Sequence, residues 1–196
     1  MLLGLTGAAC AGKNAVADIL AEAGWAGIDV DRLGHQALAA SLPEVVELLG
    51  PAAITVDGQP DRRYIGGRVF ADVRLLAAYE AIVHPAMFAL ADAAIAAALA
   101  AGRPVCLNAA ILYMMPQAGR CDRIVEVRAA CLIRLYRARL RDRLPLGRLL
   151  ARMRRQAVLL RARRRFTDRL SWLDNSGSLA KLRRQVQRII LDKALN

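Results

Sequence analysis

Residues 2–14 read LLGLTGAACAGKN, an apolar run followed by a glycine-rich turn and a lysine. Residues 2–6 have the length and composition of a buried parallel strand, and the run stops at Gly7. The apolar residues that follow recur at helical spacing: Val16, Ile19, Leu20 and Ala23. This stretch therefore predicts a strand, a tight turn and a helix, in that order.

The turn matches the phosphate-binding loop pattern at every position except the last. Glycines permit the turn, successive N–H groups and the helix N-terminus surround phosphates, and the lysine neutralises their charge. We expect Lys13 to reach the β- and γ-phosphates of a nucleotide. The residues expected around the phosphates are Gly7, Ala9, Cys10, Ala11, Gly12, Lys13, Asn14 and Ala15.

Asn14 occupies the last position of the pattern, where a serine or threonine usually supplies a hydroxyl to Mg²⁺. An amide oxygen can also ligate magnesium, directly or through water. We therefore predict Asn14 as the metal ligand. The alternative for the whole segment is a glycine-rich turn with a surface lysine and no ligand.

The rest of the chain alternates short apolar runs with helical patterns. Further strands are predicted at 26–30, 104–107, 123–127 and 170–173. Such alternation is typical of an α/β domain with a mainly parallel sheet covered on both faces. The helical pattern over 62–101 predicts two helices that meet at Pro85. We expect Trp172 and the methionines in the core.

Composition and charge restrict the function further. The chain has 196 residues, of which 56% are hydrophobic and 23% charged, which excludes a disordered chain and a fibrous repeat. Its net charge of +12 is uneven, because residues 1–119 carry 7 basic and 11 acidic side chains and residues 120–196 carry 22 and 6. Most of the C-terminal excess is arginine, which suits phosphorylated ligands or nucleic acid.

The four cysteines, Cys10, Cys106, Cys121 and Cys131, include no Cys-x-x-Cys pair. A zinc knuckle and a dithiol redox motif are therefore excluded, and reduced thiols in a cytoplasm are expected. The longest apolar stretch, 86–101, contains Asp92 and is too short to span a bilayer. No basic segment precedes the apolar N-terminus. We expect a soluble cytoplasmic protein with no membrane partner.

Seven collinear motifs carry a family resemblance: GLTGAACAGKN at 4–14, IDVD at 28–31, DGQPDRRYIGGRVFAD at 57–72, HP at 84–85, RARLRD at 137–142, RMRRQ at 152–156 and DNSGS at 174–178. Over nearly its whole length, the sequence resembles the dephospho-coenzyme A kinase family. The resemblance implies ATP-dependent phosphorylation of the ribose 3′-hydroxyl of dephospho-coenzyme A, with ATP and Mg²⁺ and without nucleic acid.

The resemblance also implies the architecture of a P-loop kinase, an α/β three-layer fold with a parallel sheet, a helical substrate-binding subdomain and a helical lid. The implied parts of the single domain are a nucleotide-binding core of 1–31, 102–136 and 166–196, a substrate-binding subdomain of 32–101 and a lid of 137–165.

By resemblance, Asp31 orients the ribose hydroxyl and accepts its proton. It follows the predicted 26–30 strand, at the carboxyl edge where α/β sheets bind ligands. Alternation along a strand places Asp29 on the same face, so both carboxylates could serve one site, or either could cap the following helix. Arg62 and His84 match substrate-side positions, where a surface arginine and a helix-end histidine are the alternatives.

Arg137 and Arg141 are four residues apart and so project from one face of a helix. The resemblance implies that they close over the triphosphate with Arg148 and Arg152, and gives Arg141 a catalytic role. A solvated basic face is the alternative. Asn175, in the turn 174–177, would meet an adenine edge, unless the turn only caps a helix.

Two positions depart from the family pattern. Asn14 replaces the usual serine, and AILYM at 110–114 replaces PLLFE, which puts Met114 in place of an acidic residue near the metal. Two other functions therefore stay open. One is a P-loop kinase for another small molecule or nucleotide, and the other is a degenerate fold that binds nucleic acid or a partner through its basic C-terminal segment.

Overall fold

The computed structural model describes residues 1–142 and 160–191. Its strands are β1 (Leu2–Gly7), β2 (Ala26–Asp29), β3 (Val105–Asn108), β4 (Arg123–Arg128) and β5 (Leu170–Asp174). Within the described residues they form one parallel sheet in the order β2-β3-β1-β4-β5. The predicted α/β class with a parallel sheet is therefore confirmed.

The helices that alternate with these strands are α1 (Lys13–Glu22), α2 (Val30–Ala40), α3 (Leu42–Leu49), α4 (Arg62–Val69), α5 (Val73–Ala100), α6 (Cys131–Asp142) and α7 (Leu179–Leu191). Short 3₁₀ segments cover Pro51–Ala53, Leu112–Met114, Pro116–Arg120 and Leu160–Arg169. Asp61 caps α4, because its carboxylate accepts a hydrogen bond from the Tyr64 N–H at 2.9 Å.

One face of the sheet packs against α1 and α7. Alternate residues of the central strands point to this side, as the strand periodicity requires. The helices contribute residues at helical spacing, which makes this layer a continuous apolar core. Its buried members include Leu3, Leu5, Val125 and Val127 from the strands, Val16, Ile19 and Leu20 from α1, and Leu182, Val186 and Ile189 from α7.

The opposite face carries a buried carboxylate, that of Glu126 of β4, which is 2% exposed. The Tyr113 hydroxyl donates to its carboxylate at 3.0 Å, and Arg128 Nε donates at 3.0 Å. Arg163 adds a longer contact of 3.4 Å. Burial, followed by the charge of Glu126, raises the pKa of Tyr113 well above its usual range. The buried carboxylate is thus paired, as a charge in a protein interior must be.

The four cysteines are all free thiols. Cys106 lies in the core beside α1, whereas Cys121 lies against Gly4 on the opposite side of the sheet. Burial raises the pKa of each of these two thiols to about 12. Cys10 is half-buried and Cys131 is exposed.

The chain divides into two compact units, residues 30–94 and the remainder. The first consists of α2, α3, α4 and most of α5, with buried apolar residues such as Leu38, Val45 and Ile65. The second contains the whole sheet with α1, α6 and α7.

Helix α5 runs through Pro85 without a break, so the predicted division at this proline is wrong. The break lies instead between α4 and α5, at residues 70–72. Proline removes one helical hydrogen bond and crowds the preceding turn, but burial of one helix face can outweigh this cost. In α5 that face contains Val83, Met87, Ala91 and Ile95, four residues apart.

Helix α5 is also long and apolar enough to cross a membrane, with a mean hydropathy of 1.8 over its most apolar window. Its 28 residues exceed the stretch predicted over 86–101. Length and composition alone are weak support for a membrane span, because core helices of soluble proteins meet the same criteria. The fold is compatible with a soluble protein.

Two local expectations are corrected. Strand β2 ends at Asp29, and Asp31 lies in the first turn of α2, so strand alternation does not relate the two carboxylates. Trp172 is 55% exposed rather than buried, on the edge strand β5, and the Arg128 guanidinium stacks on its ring, 4.3 Å from the ring centroid. Met87 and Met115 are buried as expected, and Met114 is 55% exposed.

We predict that Pro85→Ala stabilises the protein by about 1–2 kcal/mol, because alanine restores the helical hydrogen bond at an exposed position. The greater freedom of the unfolded alanine chain offsets part of this gain. Urea unfolding followed by circular dichroism measures the difference. An Ala89→Gly variant, also at an exposed site of α5, should lose about 1 kcal/mol. A Pro85→Ala variant less stable than the parent would contradict the prediction.

Candidate active site

The loop between β1 and α1 is shaped by two close backbone approaches. Gly7 has φ of 149°, and a Cβ there would collide with the Val127 carbonyl oxygen on the neighbouring strand. Gly12 has φ of 95°, and a Cβ there would collide with the Asn175 side-chain amide. Both glycines of the sequence pattern are therefore required by geometry.

A cavity of about 520 Å³ lies beside this loop. Gly12 precedes α1 and provides no side-chain cap, so the first-turn N–H groups receive no capping hydrogen bond from it. Two cationic side chains, those of Lys13 and Arg137, line the same cavity. Helix N-terminal amides and two cations suit an anionic group such as a polyphosphate. Among the described residues, the lining is Cys10, Gly12, Lys13, Asn14, Arg137 and Leu140.

The carbonyl groups of the loop are held by side chains from elsewhere in the chain. Asn175 Nδ2 donates to the Ala11 carbonyl at 2.8 Å, and Asn175 is 7% exposed. Arg137 donates to the Asn175 carbonyl at 3.0 Å and more weakly to that of Ala11 at 3.5 Å. Arg134 Nε donates to the Ala9 carbonyl at 3.0 Å. The structure thus joins Arg137 and Asn175 to the loop.

The turn that contains Asn175 is organised by its own hydrogen bonds. The Asp174 carboxylate accepts from the Ser176 N–H at 3.1 Å and from Lys181 at 3.2 Å. Hydrogen bonds from Ser176, and then from Lys181, hold the pKa of Asp174 below its ordinary value. Ser178 accepts from the Lys181 N–H at 3.3 Å at the start of α7. The turn therefore leads into the N-terminus of α7 and also positions Asn175.

A second, smaller cavity of about 180 Å³ adjoins Asn14 at the carboxyl ends of β2 and β3. Its oxygen-bearing side chains are Asn14, Asp18, Asp29 and Asn108. Asn108 Nδ2 donates to Asn14 Oδ1 at 3.2 Å. Asn108 is 8% exposed, and within the described residues its Oδ1 has no hydrogen-bond partner.

These residues fit a magnesium ion that is held mainly by nucleotide phosphates. Carboxylate and amide oxygens are the ligands that Mg²⁺ prefers, and it keeps several waters when a substrate phosphate binds it. Across residues 1–142 and 160–191, no three His, Cys, Asp or Glu side chains cluster as a metal cage would require. The donor set therefore suits a phosphate-bound cation better than a tightly bound structural metal.

The residues predicted for the acceptor side lie in the 30–94 unit, except Asp29. Asp31 is exposed in the first turn of α2, and Arg62 is exposed at the start of α4. The positive charge of Arg62 opposes the rise that burial causes in the pKa of Tyr79. His84 is half-buried on α5, with its ring 5.3 Å from that of Phe88.

The predicted lid arginines are described only in part. Arg141 lies near the end of α6, beyond which the described residues stop until Leu160. Arg148 and Arg152 lie outside the described residues, as does Gln156, the last residue of the RMRRQ motif. Ala15 is half-buried in the first turn of α1.

The family model for dephospho-CoA kinase (CoaE) matches residues 1–181. The chain belongs to the dephospho-CoA kinase family. The dephospho-CoA kinase of Aromatoleum aromaticum is 35% identical over 193 residues, covering 96% of this chain and 91% of the relative. That of Mesorhizobium japonicum is 33% identical over 191 residues, covering 97% and 95%.

Solved structures share the fold of this chain. The crystal structure of TT1252 from Thermus thermophilus has a TM-score of 0.82 and 30% identity, covering 98% of this chain and 97% of the other. Dephospho-CoA kinase from Campylobacter jejuni has a TM-score of 0.66 at 18% identity, covering 97% and 96%, which shows the fold alone.

Membership of the dephospho-CoA kinase family makes the chain an enzyme, a kinase that phosphorylates dephospho-CoA with ATP in coenzyme A biosynthesis. The resemblance inferred from the sequence is confirmed. A different kinase acceptor, or a degenerate nucleic-acid-binding module, is not favoured.

Sequence reasoning missed Arg134, Asn108 and Leu140. Arg134 lies three residues before Arg137 on α6, a spacing that places two side chains on one helix face. Asn108 ends β3 beside the central strand, where carboxyl-end residues line ligand sites. Both positions could have been found by applying these two rules systematically, whereas nothing in the sequence distinguishes Leu140.

We predict that Gly12→Ala weakens ATP binding by about tenfold or more, because the new methyl displaces Asn175 and releases the Ala11 carbonyl. Titration calorimetry measures the affinity. Gly24→Ala is the matched control, since Gly24 has φ of 85° but nothing within 4 Å of an added Cβ. Both variants should lose about 1 kcal/mol of stability from backbone strain. Equal ATP affinities in the two variants would contradict the prediction.

Proposed function

We propose that the chain transfers the γ-phosphoryl group of ATP to the ribose 3′-hydroxyl of dephospho-CoA, with the triphosphate in the cavity beside the phosphate loop. The observation that carries this proposal is the cavity itself. It brings Lys13, Arg137 and the N-terminus of α1 together. The family assignment supplies the acceptor.

On the nucleotide side, Lys13 neutralises the β- and γ-phosphates, and the loop amides of Cys10 and Gly12, with the first-turn amides of α1, donate hydrogen bonds to their oxygens. Arg137 and Arg141 stabilise the charge that develops during transfer. Asn175 holds the loop and borders the adenine. These groups act by positioning and by charge, which is what phosphoryl transfer requires.

On the acceptor side, Asp31 accepts the proton of the 3′-hydroxyl as the ribose oxygen attacks the γ-phosphorus. The bond from that phosphorus to the β,γ-bridging oxygen breaks, and ADP leaves with the electron pair. Asp29 assists in orienting the ribose, and Arg62 and His84 bind the coenzyme portion. We assign the acceptor role to residues 32–101 and the lid role to 137–165. The nucleotide role belongs to 1–31, 102–136 and 166–196.

Magnesium would be held by the Asn14 side chain together with the nucleotide phosphates. When bound, the ion supplies positive charge that offsets the negative charge on the β- and γ-phosphate oxygens. Asn108 orients the Asn14 side-chain amide through the 3.2 Å hydrogen bond that it donates to Asn14 Oδ1. We also place the enzyme in the cytoplasm, where its four free thiols stay reduced.

We predict that Lys13→Ala lowers turnover at least 100-fold, on the order expected for loss of a charge-stabilising group. The assay is ADP release from MgATP with and without dephospho-CoA, with the product identified by mass as coenzyme A. Circular dichroism should show that the fold survives. Arg184→Ala, which removes an exposed cation of α7, should retain full activity. Acceptor-independent ADP release by the parent enzyme would refute the proposed acceptor.

Asp31→Asn should lower kcat by about 10²- to 10⁴-fold, because an amide cannot accept the hydroxyl proton. The dissociation constant for ATP should stay within about twofold, since Asp31 is assigned to the acceptor side. Stopped-flow turnover and calorimetry give the two quantities. Asp57→Asn, in an exposed turn of the same unit, is the control. An unchanged kcat would remove Asp31 as the base.

A further inference from the structure

We propose that Arg134 is a positioning residue for the nucleotide phosphates, which acts by setting the direction of the Cys10 N–H. This inference rests on the proposed phosphate site. Arg134 is half-buried on α6, and its Nε donates to the Ala9 carbonyl at 3.0 Å. The contact joins residues 125 positions apart in the sequence.

The argument starts from the geometry of a peptide unit. The chain has no cis peptide bonds in the described residues, and in a trans peptide the C=O and N–H point in opposite directions. The Ala9 carbonyl and the Cys10 N–H belong to one such unit. By holding that carbonyl toward α6, the Arg134 side chain turns the Cys10 N–H away from α6.

The next two peptide units of the loop also have fixed orientations. The Ala11 N–H donates to the Ala8 carbonyl at 3.0 Å within the loop, so this donor is used internally. The Ala11 carbonyl is held by Asn175, which turns the Gly12 N–H away from Asn175 in the same manner. Alternate amides, those of Cys10 and Gly12, have no backbone acceptor within residues 1–142 and 160–191 and are left as donors for a ligand.

The backbone angles agree with this arrangement. Cys10 has φ of 59° and Gly12 has φ of 95°, both in the left-handed region. Left-handed residues that alternate with other conformations bring successive N–H groups into an anion-binding concavity. Cys10 has the only positive φ of a non-glycine residue in the described part of the chain. An L-residue there needs an external restraint, and Arg134 supplies one.

Arg134 could instead act only through its positive charge, and two substitutions separate these roles. In glutamine, Nε2 is bonded to Cδ, as Nε is in arginine, so Arg134→Gln keeps a donor at the same place without the charge. Arg134→Met keeps a similar length and apolar bulk but has no donor. A directional role predicts that the two variants differ, and a charge role predicts that they do not.

The experiment measures the dissociation constant of MgADP by calorimetry for the parent and both variants. Arg134→Met should weaken binding about 3- to 10-fold, the value of one hydrogen bond, and Arg134→Gln should stay within about twofold of the parent. Arg139→Met, an exposed position on the same helix, should leave binding unchanged.

A second readout reports the Cys10 amide directly. Labelling with ¹⁵N-cysteine gives four backbone signals, and the Cys10 signal should move when MgADP is added to the parent. In Arg134→Met the response of this signal should be reduced, while the Cys106 and Cys121 signals stay where they are in the parent. Unchanged core signals show that the variant is folded.

Three results would overturn the inference or its basis. Equal losses in the Gln and Met variants would assign Arg134 a charge role, and no loss in the Met variant would remove any role. A parent protein that does not bind MgADP would instead overturn the proposed function, since the phosphate site itself would be absent.

Discussion

The central position of β1 in the sheet is the constraint on which the phosphate loop depends. All six residues of β1 are buried, and the strand pairs with β3 on one side and β4 on the other. Its last residue, Gly7, is fixed against the backbone of Val127. The segments that follow β4 and β5 then reach the loop carbonyls from one side. The ends of β3 and β2 supply Asn108 and Asp29 to the cavity on the other. Strand order thus separates the groups that hold the loop from those that suit a cation.

The strands, the parallel sheet and the loop could be predicted from the sequence, because these features depend on local apolar runs and on glycine spacing. Sequence-based prediction failed where tertiary packing outweighs the local conformational preference of a residue. Pro85 lies inside α5 because burial along one face of the helix stabilises it, and Trp172 is exposed on the edge strand β5, where Arg128 stacks on its ring. Strand β2 ends at Asp29, one residue earlier than predicted, and Asp31 therefore lies in the first turn of α2. Helical spacing relates Arg134 to Arg137, but its contact with the Ala9 carbonyl joins residues 125 positions apart and was known only from the structure.

The arginine excess of the C-terminal part has a structural explanation besides phosphate binding. Arg134 and Arg137 donate to carbonyl groups around the loop, and Arg169 donates to the carbonyls of Gly119 and Cys121 at 3.1 Å. A guanidinium offers five donors in a fixed plane, so one side chain can satisfy carbonyls from two segments. Basic residues in this protein therefore partly replace the backbone hydrogen bonds that irregular connections leave unmade.

The four thiols differ in accessibility, so their alkylation rates can report on the cavity beside the loop. Cys106 and Cys121 are buried, and their pKa of about 12 leaves almost no thiolate at neutral pH. An alkylating reagent in water is therefore restricted to Cys131 and Cys10. Cys131 lies at the start of α6, whereas Cys10 lines the cavity beside Lys13. The ratio of the Cys10 rate to the Cys131 rate measures how fully that cavity is covered, with Cys131 as the internal standard.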